Sequence, residues 1–259
     1  MPMVWEFDGS ASCGVCGSLD LWTHMRLLDM QHCRACGSCQ ARHRQTTVTY
    51  DAEYIRERYD RYPTTAAMSR HRLRVIQSVL YLEDNDQDAW GYHRVGARLL
   101  DVGYGNGSFI REARSMGWDA VGNDVNPTPY PHVERVELPI NPLPIADRFR
   151  VITFYDSLEH FETLDQVRKV AQNTDWIFVS FPRIPDRWLE NPIEWKHYRP
   201  GEHHFYFSPH GLERLFSMKG IHARIDWKGH PEDIIRGRLL DGQPNIMTCA
   251  LRCTSPAAL

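Results

Sequence analysis

Lysine is nearly missing from this chain of 259 residues: four occur, at positions 169, 196, 219 and 228, so arginine supplies almost all of the positive charge. Long apolar runs are missing too. None approaches the ~18 consecutive apolar residues that would suggest a membrane span, so no membrane partner is expected. The opening Met-Pro-Met-Val-Trp-Glu-Phe-Asp has no basic segment leading into an apolar one, so no secretion signal is read and a cytoplasmic location is expected. Internal repeats and low-complexity tracts are absent as well, which excludes a solenoid or an array. Seven cysteines in a chain without an export signal point to thiols or metal ligation rather than a disulfide framework. The length suits one full α/β domain with a small appendage.

The net charge of −3 is unevenly spread. Residues 26–74 hold ten arginines and no lysine against five acids, a net +5 that leaves −8 for the remainder. Tyr50, Tyr54, Tyr59 and Tyr62 interleave with those arginines. Such a face suits nucleic acid or a phosphorylated partner. A solvated helix with locally paired charges would read the same way, and is the preferred reading.

Cys13-Gly-Val-Cys16-Gly17 and Cys33-Arg-Ala-Cys36-Gly37 are two copies of C-x-x-C-G, 16 residues apart. This spacing matches a four-cysteine zinc ribbon, each turn aiming two thiolates at one Zn2+. So few residues cannot build a sufficient core, and a structural metal would contribute the missing folding energy. Leu19 to Leu28 can form the intervening hairpin. Cys39 offers a rival pairing with Cys36, but Cys33 repeats the form of the first knuckle, which leaves Cys39 as a spare thiol. Cys249 and Cys253 fall in an apolar strand and read as core.

Arg98-Leu-Leu-Asp101-Val-Gly103-Tyr-Gly105-Asn-Gly107 is a short apolar strand that ends in a carboxylate and breaks into alternating glycines, followed by helical spacing from Ser108 to Met116. Glycines there permit a sharp turn and the close approach of a ligand. A second apolar strand ends at Asp124, a suitable distance downstream for an acid that holds ribose hydroxyls. Residues 51–62 and 65–82 have helical spacing, broken by Pro63, and the acidic stretch after Leu82 reads as a hinge. The prolines at 127, 129 and 131 leave little room for a helix after Asp124. Strands near 221–227 and 246–253 complete the sheet.

The pattern D-x-G-x-G-x-G resembles the first motif of class I S-adenosylmethionine (SAM) methyltransferases. Gly117 to Pro127 resembles their second motif. Phe149-Arg-Val-Ile-Thr-Phe-Tyr-Asp156-Ser-Leu-Glu159-His160 is similar to their fourth-strand motif in its Leu-Glu-His variant, and Trp176 to Pro182 to the fifth strand. The resemblance spans roughly residues 96–255. It implies a Rossmann-like α/β fold, mostly parallel with an antiparallel last strand, divided into a zinc ribbon (1–48), a helical linker (49–95) and a SAM-binding domain (96–259). It also implies SAM as cofactor, held by Asp101, Gly103, Gly105, Gly107, Asp124, Val125 and Asp156.

His160 and Glu159 are the catalytic candidates, because a histidine after the fourth strand can take a proton from the acceptor near neutral pH. A structural, inert His160 is the competing reading. The polar, aromatic stretch Trp195 to Phe207, with Trp195, His197, Glu202 and His203, is expected to hold the acceptor. A metal on His197, His203 and His204 lacks supporting spacing. The ribbon-plus-methyltransferase layout resembles sugar C-methyltransferases and other small-molecule enzymes, and also a type that modifies guanine in 23S rRNA. A small molecule, sugar nucleotide or modified nucleotide is therefore the expected acceptor. The alternatives are an RNA or DNA methyltransferase gripping polymer with residues 26–74, and a scaffold that has lost catalysis.

Overall fold

Two sheets share one polypeptide because neither knuckle-bearing hairpin can bury itself. In the computed structural model, residues 5–8, 11–24, 29–57, 65–84, 97–125, 134–138, 140–144, 147–184, 193, 195–218, 220–236 and 245–254 are described. The first sheet begins with β1 (Trp5–Asp8), β2 (Leu21–His24), β3 (Met30–Cys33) and β4 (Cys39–Ala41), all antiparallel. The hairpin expected over 19–28 is longer in the structure: its first strand is β2, and its return strand, β3, begins only at Met30. After it come α1 (Ala52–Ile55), with Asp51 accepting the Tyr54 amide at 2.9 Å, and α2 (Thr65–Asp84). Residues 58–64 and 85–96 lie outside the described residues; of the acidic stretch 83–88 expected as a hinge, the first two residues end α2 and the rest are among those outside.

The second sheet carries β5 (Arg98–Val102), β6 (Asp119–Asn123), β7 (Phe149–Tyr155) and β8 (Thr174–Pro182) in parallel, with α3 (Ser108–Ser115) crossing from β5 to β6. A 3-10 turn at Leu158–His160 and the short α4 (Asp165–Arg168) link β7 to β8. Then come β9 (Phe205–Tyr206), α5 (Pro209–Phe216), β10 (His222–Gly229), α6 (Pro231–Ile235) and β11 (Ile246–Thr254). The strand order is β10-β11-β8-β7-β5-β6, and β11 runs antiparallel to both neighbours, as the sequence suggested. Beyond β6 the edge shrinks to a single bridge, in which Gly122 exchanges backbone bonds with Glu134 and Val136. The proline-rich stretch 126–133 lies outside the described residues.

Strand residues alternate between two cores, as a sheet covered on both faces requires. Leu99, Val151 and Phe178 meet Leu73, Ile76, Val79 and Leu80 of α2 and Phe109 and Ile110 of α3. Leu100, Ile152, Ile177 and Val179 face α5 and, through Phe205 and Phe207, the knuckles themselves.

The two sheets are stitched together by β9, which follows β8 in the chain yet pairs with β4: Cys39 opposes Tyr206 and Gln40 opposes Phe205. Ser208 secures the same seam. Its Oγ caps α5 by accepting the Gly211 amide at 2.9 Å and donates to the Cys36 carbonyl, while its own amide donates to Ser38 Oγ at 3.1 Å. Gly211 leaves room for this contact, since a Cβ there would fall 2.1 Å from Ser38 Oγ and 3.3 Å from Val15 Cγ1. Alanine normally improves a helix over glycine by roughly 0.5–1 kcal/mol. Gly211→Ala should instead destabilise the chain by about 1–3 kcal/mol, the range for overpacking a tight interior. Denaturant unfolding of the two proteins checks this, and a more stable Gly211→Ala would contradict the seam.

Candidate functional site

The chain leaves β5 by turning left-handed three times: φ is 81° at Gly103, 52° at Gly105 and 66° at Gly107, which caps α3. Only glycine holds such angles at low cost. Gly103 is doubly constrained, because a Cβ there would lie 2.4 Å from Ser157 Cβ. Two carboxylates brace the loop. Asp124, at the end of β6, accepts the Gly105 amide at 2.8 Å. Asp101 lies buried under the loop, receives the Thr153 hydroxyl at 2.7 Å, and is pushed by burial up to about 6. Val125, next to Asp124, is exposed.

Asp156 closes β7 in a left-handed conformation at φ 53°, uncommon for a residue with a side chain. Its carboxylate is held by Arg72 Nη2 at 2.9 Å, and the same guanidinium pairs with the fully buried Glu232 of α6 and lies over the Tyr155 ring. Arg72 thus locks α2 and α6 to the carboxyl end of the parallel strands, the side on which open α/β sheets bind ligands.

A cavity of about 500 Å³ opens at that end. Gly103, Gly105, Asp124, Val125 and Asp156 line one end; Tyr50, Tyr54, His160 and Phe161 line the other. The tyrosines come from the helical linker and were not singled out as site residues from the sequence. Only their interleaving with arginine marked the segment.

His160 sits where the Leu158–His160 turn meets this cavity. Its Nδ1 lies 2.9 Å from Tyr50 Oη and 3.0 Å from the Glu202 carbonyl. A carbonyl can only accept, so Nδ1 carries the proton and the lone pair is on Nε2. Burial pulls His160 down to about 4 and His203, at its back, to about 2, so both rings are neutral at physiological pH. His203 Nδ1 lies 2.9 Å from the His197 carbonyl, and the two rings meet edge to face at 4.7 Å. Glu159 is buried and, first through burial, held well above the usual carboxylate range.

The residues expected to hold an acceptor are placed differently from His160. Trp195 is packed in a small core with Met30, Cys39 and Tyr206, and His197 lies against its ring at 5.4 Å. Glu202 is buried, receiving Tyr54 Oη and Arg199 Nη1 at 3.1 Å each. With His203, these residues form a layer behind the cavity wall rather than the wall itself.

The two knuckles are superposable in their bonding. Gly17 N donates to the Cys13 carbonyl at 2.8 Å and Gly37 N to that of Cys33 at 2.7 Å, with φ of 76° and 73° at the glycines. The four sulfurs of Cys13, Cys16, Cys33 and Cys36 lie within 4.8 Å of one another. Cys39 is outside that set, buried in β4 beside Trp195. Cys249 and Cys253 are buried in β11.

The arginines of 26–74 are largely engaged inside the chain. Arg34 stacks on Trp22 at 3.5 Å, Arg44 donates to the Glu162 and Ala41 carbonyls, and Arg56 and Arg70 pair with Glu53 and Glu112. Arg72 is largely buried, while the Arg56 and Arg70 pairs lie at the surface. Arg26, Arg58 and Arg61 lie outside the described residues. Among the described residues no helix is long and apolar enough to cross a membrane.

A glycine loop at the carboxyl end of a parallel strand, an acid closing the next strand and an antiparallel last strand define a nucleoside-binding enzyme of the α/β class. Residues 69–221, more than half of the chain, match the protein family described as "Methyltransferase domain". The chain belongs to that family and is a SAM-dependent methyltransferase. No curated protein matches it. Among solved structures it is similar to magnesium protoporphyrin IX methyltransferase from Synechocystis PCC 6803 with bound SAH, at 13% identity over 77% of this chain and 91% of that one, TM-score 0.49. It is also similar to the CcbJ methyltransferase from Streptomyces caelestis, at 13% identity over 78% and 96%, TM-score 0.48.

Asp101 yields a pH-dependent prediction. Its pKa is raised from 3.8 to about 6 in the fold, so its contribution to stability is complete below pH ~4 and is lost as pH rises through 6. The uncharged Asp101→Asn removes that loss. Relative to the parent, the variant should gain about 2 kcal/mol between pH 4 and pH 7, from roughly 1.4 kcal/mol per pKa unit. Urea unfolding of both proteins at the two pH values checks it, and a difference that does not change with pH would refute it.

Proposed function

We propose that this methyltransferase acts on a small-molecule acceptor held in the cavity between the glycine loop and α1, with Glu159 and His160 as the groups that activate it. The observation that carries this reading is the cavity itself. Its volume is that of a small-molecule site. One end has the glycines and Asp124, and the other has an uncharged histidine with an available lone pair between aromatic walls. Among the described residues, the intramolecular contacts of Arg34, Arg44, Arg56, Arg70 and Arg72 favour the small acceptor over a polymer.

The glycine loop would lie against SAM, Asp124 would accept its ribose hydroxyls as the resemblance implies, and Asp101 would set the loop from below. Bound SAM supplies an electrophilic methyl group on a sulfonium. The chain's own part is to hold the acceptor in line with it, where orientation contributes much of the acceleration. Arg72 would fix Asp156 and the end of β7, and the Glu202 carbonyl would set the tautomer of His160, with Tyr50 at the same nitrogen. The layer of Trp195, His197, Glu202 and His203 would hold that histidine in place from behind.

We further assign one structural Zn2+ to Cys13, Cys16, Cys33 and Cys36. The sulfur geometry and the paired knuckle bonds support a closed four-thiolate site.

Two variants test the site together. Asp124→Ala should weaken SAM binding by 1.5–3 kcal/mol, roughly ten- to 150-fold, the value of a hydrogen bond to a charged group. His160→Ala should bind SAM as the parent does while turnover falls ~10²–10⁴-fold. Calorimetry with SAM and transfer of labelled methyl to metabolite fractions read the two. Unchanged SAM affinity in the first, or full turnover in the second, overturns the assignment. For the cysteines, elemental analysis should find zinc in the parent and in Cys39→Ser, and its loss in the Cys13→Ser/Cys16→Ser double variant. Zinc retained in the double variant would refute the register.

A further inference from the structure

Glu159, His160 and His203 form a second cluster, separate from the cysteines. One side-chain donor atom from each lies within 4.8 Å of the others. We propose that they bind a single divalent first-row transition cation, through the Glu159 carboxylate and Nε2 of both histidines.

Three observations converge on this. The first is the tautomer of the histidines. Nδ1 of His160 faces the Glu202 carbonyl at 3.0 Å and Nδ1 of His203 faces the His197 carbonyl at 2.9 Å. Each ring therefore donates through Nδ1 and keeps its lone pair on Nε2. Metal-binding histidines are usually oriented in this way, with the distal N–H tied to a backbone carbonyl.

The second observation is an orphaned oxygen. Glu159 is 1% exposed, and its Oε2 is buried without a hydrogen-bond partner. Leaving such an atom unpaired costs about 1–3 kcal/mol, and a coordinated cation supplies the missing partner.

The third is the pairing of the surrounding charges. Asp156, Glu202 and Glu232 all press negative potential on Glu159. Asp156 and Glu232 share Arg72, and Glu202 has Arg199. Among the described residues Glu159 is the carboxylate of this group that pairs with neither arginine. A cation bound there would take the place of the Glu159 proton and stand beside the one carboxylate of the group that has no arginine.

The donor set selects the metal class. Two imidazoles and one carboxylate suit Zn2+, Fe2+ or Co2+, whereas Mg2+ and Ca2+ prefer all-oxygen sites. It also differs from the four soft thiolates of the knuckles, so the two sites are spectroscopically separable. Of the three residues, His160 lines the cavity. The site's existence does not depend on the acceptor. Its use rests on the function proposed above with one change of role: Glu159 and His160 would activate the acceptor through the cation, which would hold an acceptor oxygen or nitrogen and make its proton easier to lose to water, instead of His160 taking that proton itself.

Cobalt titration of the full chain, carrying its cysteine-bound zinc and dialysed against a weak chelator, tests the site without SAM or acceptor. One equivalent of Co2+ should bind per chain, with visible bands of nitrogen and oxygen ligation and no thiolate-to-cobalt charge transfer. Glu159→Gln and His203→Gln should each weaken this binding at least tenfold, while Glu162→Gln, a neighbouring cavity carboxylate, should leave it unchanged. No cobalt bound by the parent overturns the proposal, and this result needs no variant to fold. Cobalt bound with thiolate bands, or bound as tightly by Glu159→Gln, overturns it as well. SAM affinity measured on the same samples separates this outcome from a failure of the methyltransferase site.

Discussion

Two residue pairs, Cys39 with Tyr206 and Gln40 with Phe205, hold the rest of the molecule in register. They are a very short ladder, but they make a five-stranded sheet out of four strands that cannot form a core alone. The constraint runs in both directions. β4 gains an edge partner, and the chain from Glu202 to Phe207 is drawn under the knuckles, which fixes the ring of His203 and the carbonyl that orients His160. The cysteine cluster therefore reaches the cavity through backbone hydrogen bonds, without any cysteine touching it.

The polar interior is organised by neutrality. His160 and His203 lose their charge to burial, Glu159 is held well above the usual carboxylate range for the same reason, and Asp101 is raised toward 6. Against them stands Arg72, which stays charged between Glu232 and Asp156 and faces Tyr155. Breaking such a buried pair from one side leaves an uncompensated charge, which costs far more than the pair contributes. The end of β7 is thereby held stiffly, in a backbone conformation that a residue with a side chain seldom adopts.

What was legible in the sequence was local. The glycine loop, Asp124 and the paired knuckles each state their geometry within a few residues, because a left-handed turn needs glycine and a knuckle needs two thiols three apart. The antiparallel last strand followed from the resemblance rather than from spacing. Tyr50 and Tyr54 were not legible as site residues, since only the docking of α1 against the Leu158–His160 turn brings them to the cavity. Trp195 and His203 show the converse. A dense polar and aromatic stretch reads as a loop over a site, but the β4–β9 pairing turns it inward, and its side chains support the wall from behind. Arg72 belonged to a segment read by its net charge, which does not reveal that one member is buried.

The β4–β9 ladder joins residues about 165 positions apart. At synthesis rates of about 5–20 residues per second, the knuckles leave the ribosome roughly ten to thirty seconds before the strand that completes their sheet. Contacts this distant in sequence are slow to form, because closing so long a loop must precede any gain from it. During that interval the edge of β4 is bare, a strand edge of the kind that invites pairing with a neighbouring chain. Its length of three residues offers little to such a neighbour, so the brevity that makes this sheet dependent on the later domain also shields it on the way there.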